Sequence, residues 1–184
     1  MRLFIAIDFP ESVTSRLEDI AFGLPGAVWV PAHQYHLTLR FLGETDVETF
    51  NHIEHALSEV RADSFHLDLK SVGHFPLRGD PEVLWVGVAP NEFLLRLNRK
   101  VESALGRAGL VPEGRKFHPH VTLAKLKNGA VRHAGDFEVQ HSLFRIPEVA
   151  VEAFHLYSSR LASEGATHTV EATYPLNGML QEPD

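Results

Sequence analysis

His36-Leu37-Thr38-Leu39 and His120-Val121-Thr122-Leu123 are two copies of one four-residue pattern, set about half of the 184-residue chain apart. Each has a histidine and a threonine separated by one aliphatic residue and followed by another. Side chains alternate faces along a β-strand, so His36 and Thr38 share one side while Leu37 and Leu39 share the other. The same parity groups His120 with Thr122 against Val121 and Leu123. Each copy therefore predicts a strand with an apolar face for a core and a polar stripe for chemistry. A single His-x-Thr on a strand is mostly just a polar strand face. Two copies in matching contexts point to one composite site, with each half of the molecule supplying a pair.

Around these strands the chain reads as a mixture of short elements. Residues 3–9 form a strand pattern stopped by Pro10, and Glu11 to Phe22 place Val13, Leu17 and Ile20 at helical spacing. Val28 to Pro31 is a short strand, and the first motif strand runs from His36 to Leu42, closed by Gly43. Asp46 is placed to cap a helix carrying Phe50, Ile53, Leu57 and Val60. Phe65 to Phe75 and Val83 to Ala89 read as strands joined by the hairpin-like Pro76–Pro81. Asn91 caps a second helix through Leu94, Leu97, Val101, Leu105 and Ala108, stopped by Gly109. The second motif strand runs from His120 to Leu126, with a turn at Asn128-Gly129. A short helix is expected after residue 131, ending before Phe137. Strands from Val149 to Ser158 and Thr169 to Tyr174, joined by a turn at Gly165, complete the chain. Strands and helices mix without strict alternation, which predicts an α+β fold with largely antiparallel sheets.

Composition narrows the function classes. With 44% hydrophobic and 22% charged residues the chain can build an ordinary core, and no apolar run reaches the roughly 18 residues of a membrane span. Asp8 interrupts the apolar start, and the absence of cysteine excludes disulfides and thiolate metal sites, so a cytoplasmic protein is expected. The formal charge of −7 argues against a surface coated by nucleic acid. Arg96, Arg99, Lys100, Arg107, Arg115, Lys116, Lys125 and Lys127 nevertheless crowd one window, opposed there only by Glu102 and Glu113. That window is either a solvated helix face followed by a loop, or a local attraction for a phosphate-bearing substrate.

Two imidazoles suit a reaction that removes a proton on one side of an atom and delivers one on the other. In-line displacement at phosphorus makes that demand, and the threonine hydroxyls can donate to the non-bridging oxygens. Parity adds Arg40, two residues after Thr38, as a guanidinium to grip the phosphate. By the same rule Lys125 points away from His120 and Thr122 unless a bulge intervenes, and Phe41 points into the core. Arg115, on the basic loop before the second motif, is a further candidate contact. The remaining histidines among the 12 read as ordinary surface or core groups. The chemical rival is a metal site built on His118 and His120, but no ligand spacing such as H-E-x-x-H supports it. No cofactor is expected.

The motif strands in their longer contexts, His36-Leu37-Thr38-Leu39-Arg40-Phe41-Leu42-Gly43 and Phe117-His118-Pro119-His120-Val121-Thr122-Leu123-Ala124-Lys125, resemble the 2H phosphoesterase superfamily. Within it the likeness is to the RNA 2′,3′-cyclic phosphodiesterase family, also called 2′-5′ RNA ligase. Arg2 to Ile7, Trp29-Val30, Val72 to Pro76, Leu84 to Val88 and Ser159-Arg160-Leu161 extend it over nearly the whole chain. The resemblance implies one domain over residues 1–184 made of two intertwined lobes. These would be pseudo-symmetric antiparallel sheets with outer helices around a central groove. It implies metal-independent hydrolysis of a terminal 2′,3′-cyclic phosphate to a 2′-phosphate, with reversible 2′-5′ joining of RNA as a further capacity. Its substrates would be RNA ends or small cyclic nucleotides, and a monomer is expected. It makes His36 and His120 the acid and base, leaning toward His120 as the base that activates water, and Thr38 and Thr122 phosphate ligands. Lys125 stands where the family often has arginine, and His168 replaces a common tyrosine. The alternative is a non-catalytic nucleotide-binding module of the same fold.

Overall fold

The computed structural model describes residues 1–75, 82–127, 129–162 and 165–178. The connection expected over Pro76–Pro81 and Asn128 of the expected turn lie outside the described residues. Among the described residues nine strands form: β1 (Arg2–Asp8), β2 (Ala27–Trp29), β3 (His36–Glu44), β4 (Phe65–Phe75), β5 (Val83–Val88), β6 (His120–Leu126), β7 (Arg145–Val151), β8 (Ala153–Ala162) and β9 (Gly165–Pro175). Four α-helices accompany them: α1 (Glu11–Glu18), α2 (Val47–Ser58), α3 (Glu92–Arg107) and α4 (Val131–Gln140). The architecture is α+β, as the patterning requires.

Two helix starts follow directly from the sequence. The Asp46 carboxylate accepts from the Thr49 N–H at 2.7 Å, and the Asn91 side chain accepts from the Leu94 N–H at 2.9 Å. Each satisfies one of the donors a first turn leaves open. At the far end of α3, Gly109 takes φ +87° and the Leu110 N–H returns to the Leu105 carbonyl at 3.0 Å. That closure needs the left-handed conformation glycine tolerates.

Three expectations shift. The Val149–Ser158 pattern is two strands: β7 ends at Val151, β8 starts at Ala153, and they pair with β4 and β1 respectively. The apolar alternation runs through the break, so the chain crosses the molecule without a compositional signal. The helix after residue 131 continues past Phe137, because Ala134 and Phe137 are both buried on its inner face and Phe137 packs 5.9 Å from Trp29. The first helix stops at Glu18, short of Phe22, whose ring is left exposed.

The strands run in the order β7-β4-β5-β6-β3-β1-β8-β9, with β2 also paired to β6, and every named pairing is antiparallel. The two expected sheets are thus joined into one. Each half has the motif strand innermost, and the halves meet at a single partner pair, Leu37 opposite Val121. Both residues are fully buried, in a core shared by the apolar faces of all four helices. Among the described residues no helix is long and apolar enough to cross a membrane.

Because that junction is one residue pair wide, its packing holds the two motif strands in register. Leu37→Ala should destabilise the protein by about 3 kcal/mol, the usual cost of emptying a fully buried leucine site. Urea unfolding followed by circular dichroism measures it.

Candidate active site

Antiparallel pairing of Leu37 with Val121 sets the geometry of the motif face. The flanking residues on the opposite side of both strands are His36 and Thr38 on β3 and His120 and Thr122 on β6. In this register His36 lies toward Thr122 and Thr38 toward His120, so the two histidines sit on a diagonal. Diagonal neighbours across paired strands are roughly 7–8 Å apart at the backbone, enough to leave room between the rings for a small group. Electrostatics agree, since His120 is among the charges that lower the proton affinity of His36.

Each ring is anchored the same way. His36 Nδ1 lies 2.7 Å from the Gln34 carbonyl, and His120 Nδ1 lies 2.7 Å from the His118 carbonyl. A carbonyl only accepts, so in both rings Nδ1 carries the proton and Nε2 is left to exchange one. Among the described residues neither the Thr38 nor the Thr122 hydroxyl has a side-chain hydrogen bond, which leaves both for a ligand.

The walls are aromatic. Phe4 packs 5.0 Å from His36, with Tyr157 and His168 beyond it, and Phe75 packs 5.0 Å edge-on to His120, with Trp85 and His118 beside it. Burial disfavours the imidazolium in both rings: it lowers His36 from 6.5 to about 4 and moves His120 the same way. The carbonyl bonds pull in the opposite direction. Asp8 does so as well, but only at His36, its cross-strand partner; Gly87 holds the equivalent place opposite His120.

Both motif strands then break their alternation at the same point. On β3, Thr38 pairs with Ala6 and Arg40 with Ile5; on β6, Thr122 pairs with Trp85 and Ala124 with Leu84. Leu39 and Leu123 are the extra residues of two β-bulges, and each bulge turns the following side chains over. Arg40 therefore leaves the histidine face. Its guanidinium binds the Glu102 carboxylate of α3 at 2.9 and 3.1 Å and the Val111 carbonyl at 2.7 Å, with the side chain 10% exposed. Strand parity placed it beside Thr38; the bulge sends it to the helix side. Ala124, its counterpart, is fully buried. Phe41 and Lys125 move the other way, to the open face. Phe41 is 61% exposed and 6.1 Å from Phe4, where parity had placed it in the core, and Lys125 is exposed between buried Ala124 and Leu126. Arg115 lies on the exposed loop before β6, with its backbone N–H and guanidinium both turned to Glu113.

Sequence reasoning missed several participants. Asp8, Tyr157 and His168 come from three distant segments: Tyr157 donates to Asp8 at 2.5 Å, and His168 sits edge-on to His36 at 5.5 Å. Trp85 lies across Gly73 and Gly87, where an added Cβ would come within 2.5 and 3.1 Å of the indole ring. The glycines in Val72-Gly73-His74 and Val86-Gly87-Val88 were the available signal, since a glycine inside a strand marks a close approach. Among the described residues no group of three or more histidine, cysteine, aspartate or glutamate side chains is placed to hold a metal ion.

Two histidine–threonine strands meeting across a pseudo-symmetric sheet define the kind of molecule. The chain belongs to the 2′-5′ RNA ligase superfamily, whose family model matches residues 9–161. Among individual relatives, it is 37% identical to the RNA 2′,3′-cyclic phosphodiesterase of Thermus thermophilus, over 97% of this chain and 91% of that protein. It is 35% identical to the protein of the same name from Thermotoga maritima, over 92% of each. The crystal structure of Escherichia coli LigT complexed with 3′-AMP superposes with a TM-score of 0.76 at 28% identity, over 96% of this chain and 98% of that one.

If Arg40 belongs to the helix side, it and Glu102 should behave as one unit. Removing either partner, by Arg40→Met or Glu102→Gln, should cost about 2 kcal/mol, below the range for fully buried pairs because Glu102 retains some water. A double-mutant cycle by urea unfolding should show the two losses overlapping rather than adding.

Proposed function

We propose that this protein is an RNA 2′,3′-cyclic phosphodiesterase that opens a terminal cyclic phosphate to a 2′-phosphate, using His36 and His120 and no metal. The observation that carries the reading is the pair of Nδ1-anchored imidazoles, on strands held together at Leu37 and Val121, presenting Nε2 from two sides of one face. The names of the relatives support the substrate class. A module built only to bind nucleotides has no use for two rings fixed in the tautomer that proton transfer needs.

The chemistry follows from the positions. Water attacks phosphorus opposite the 3′-oxygen, and His120 Nε2 takes its proton. The bond from phosphorus to the 3′-oxygen breaks, and protonated His36 gives its Nε2 proton to that oxygen. One water is added, leaving a 2′-phosphate and a 3′-hydroxyl. The order follows the resemblance: Asp8 raises the proton affinity of His36, but burial outweighs it and holds the ring at about 4, so His36 acts as the acid only once an anionic phosphate lies beside it. Thr38 and Thr122 donate to the non-bridging oxygens, where charge accumulates. Lys125 and Phe41 are both exposed, Lys125 able to attract the phosphate and Phe41 to stack on a base for roughly 1–3 kcal/mol. A 5′-hydroxyl attacking in place of water would form a 2′-5′ linkage through the same groups.

An oligonucleotide ending in a 2′,3′-cyclic phosphate, incubated with the protein and EDTA, should yield a 2′-phosphate. His36→Ala and His120→Ala should each lose about 10²–10⁴-fold in rate. Near-normal turnover by either variant, or dependence on added zinc, would overturn the reading. Both imidazoles titrate below 6.5, so the singly protonated pair is depleted as pH rises past neutrality. kcat/KM should therefore peak on the acidic side of pH 7 and fall toward pH 8. His120→Gln should lose the low-pH limb and His36→Gln the high-pH limb, each measured on the residual activity.

A further inference from the structure

The basic window of the sequence divides in three dimensions. Lys125 reaches the open face beyond Thr122, but Arg96, Arg99, Lys100 and Arg107 do not. They lie on the outer side of α3, whose inner side, through Asn98 to the Leu39 carbonyl and Arg40 to Glu102, grips the back of the first motif strand. With Glu59, Val60, Arg61 and Ser103 they line a cleft of about 360 Å³ between α3 and the end of α2.

Arg96, Lys100, Ser103 and Arg107 follow one another at helical spacing, so they form a single stripe along α3. The eleven steps of helix from Arg96 to Arg107 extend about 16 Å, long enough to meet several successive phosphates of one strand. Among the described residues Arg99 and Arg107 have no side-chain hydrogen bond or ion pair, and Arg96 has only a cation–π contact with Phe93 at 5.9 Å. Arg61 and Lys100 are partly committed, Arg61 to the Ser58 and Val60 carbonyls and Lys100 to the Arg61 carbonyl. The one carboxylate in the lining is Glu59, which faces His55 at 3.8 Å. In a chain of net charge −7 this is a concentrated exception.

We infer that the α2–α3 cleft is a second RNA-binding surface, which holds the sugar–phosphate backbone of the substrate away from the end being hydrolysed. The inference rests on the RNA reading of the histidine face. Continuity favours it: the chain leaves Arg107, carries Arg115 and Lys116 through an exposed loop, and enters β6 at His120. An RNA fixed by its end at the histidines has to pass around this loop to reach α3. A cyclic mononucleotide is too short to do so, and a long strand is not.

The test is the triple variant Arg96→Gln/Arg99→Gln/Arg107→Gln, in which all three side chains are exposed and the thermal midpoint should match wild type. For a cyclic-phosphate oligonucleotide of about twenty nucleotides, KM should rise roughly tenfold at low salt with kcat unchanged. The slope of log KM against log salt should become shallower by about 2, the loss expected for three single-strand phosphate contacts. Hydrolysis of 2′,3′-cyclic AMP should be unaffected. Equal kinetics on the long substrate, or an equal loss on the mononucleotide, would overturn the inference. Fluorescence anisotropy with a labelled oligonucleotide of the same length, lacking the cyclic phosphate, reads the cleft without catalysis. If wild type hydrolyses nothing, the functional reading fails, yet weaker binding by the variant still supports the cleft and equal binding still refutes it. Loss of binding to phosphatidylserine vesicles with RNA binding intact would assign the surface to a membrane and refute it too.

Discussion

One backbone register governs the molecule: Leu37 against Val121, where the two halves of the sheet touch. Pairing alternates side chains with a period of two, so this contact decides at once which residues enter the core and which share the open face. A slip of one residue would bury the histidines and expose leucine. The complete burial of Leu37, Leu123 and Val121, with Leu39 nearly so, is what prevents that slip. The geometry of the histidine face is in this sense a by-product of core packing. The rings need no long-range tether, because each is locked by a carbonyl two residues before it on its own segment.

The halves are alike in backbone and unlike in chemistry. Both motif strands bulge at the residue after threonine, and both histidines rest against a phenylalanine. The differences fall on equivalent positions. Asp8 faces His36 where Gly87 faces His120, and Phe41 occupies the open face where the other half places Lys125. Both sides of the site are thus aromatic, but one carries a carboxylate where the other carries a cation. Under the proposed function, a symmetric scaffold with these exchanges orients an asymmetric substrate.

Much of this was legible in the sequence, and the failures have one main cause. Strand parity correctly grouped His36 with Thr38 and His120 with Thr122, and the caps at Asp46 and Asn91 followed from local hydrogen bonding. Parity failed one residue later, at the bulges, which sent Arg40 to Glu102 and brought out Phe41 and Lys125. The clue was a stutter in the alternation: Leu123 and Ala124 are adjacent apolar residues ahead of a charged Lys125, and both prove buried. Asp8 and Tyr157 were not legible, and His168 only as a departure from the family's tyrosine, because the β1–β3, β1–β8 and β8–β9 pairings are what bring them to His36. The basic window was visible as composition, but its division between two surfaces required the helix to be placed.

Proton exchange at the two rings depends on which nitrogen of each is protonated, which long-range ¹H–¹⁵N correlation spectra of ¹⁵N-histidine-labelled protein report directly. At a pH where both rings are neutral, His36 and His120 should each show a protonated Nδ1 and a bare Nε2. Either ring found with its proton on Nε2 would leave that side of the phosphate without a partner for proton exchange and would contradict the mechanism.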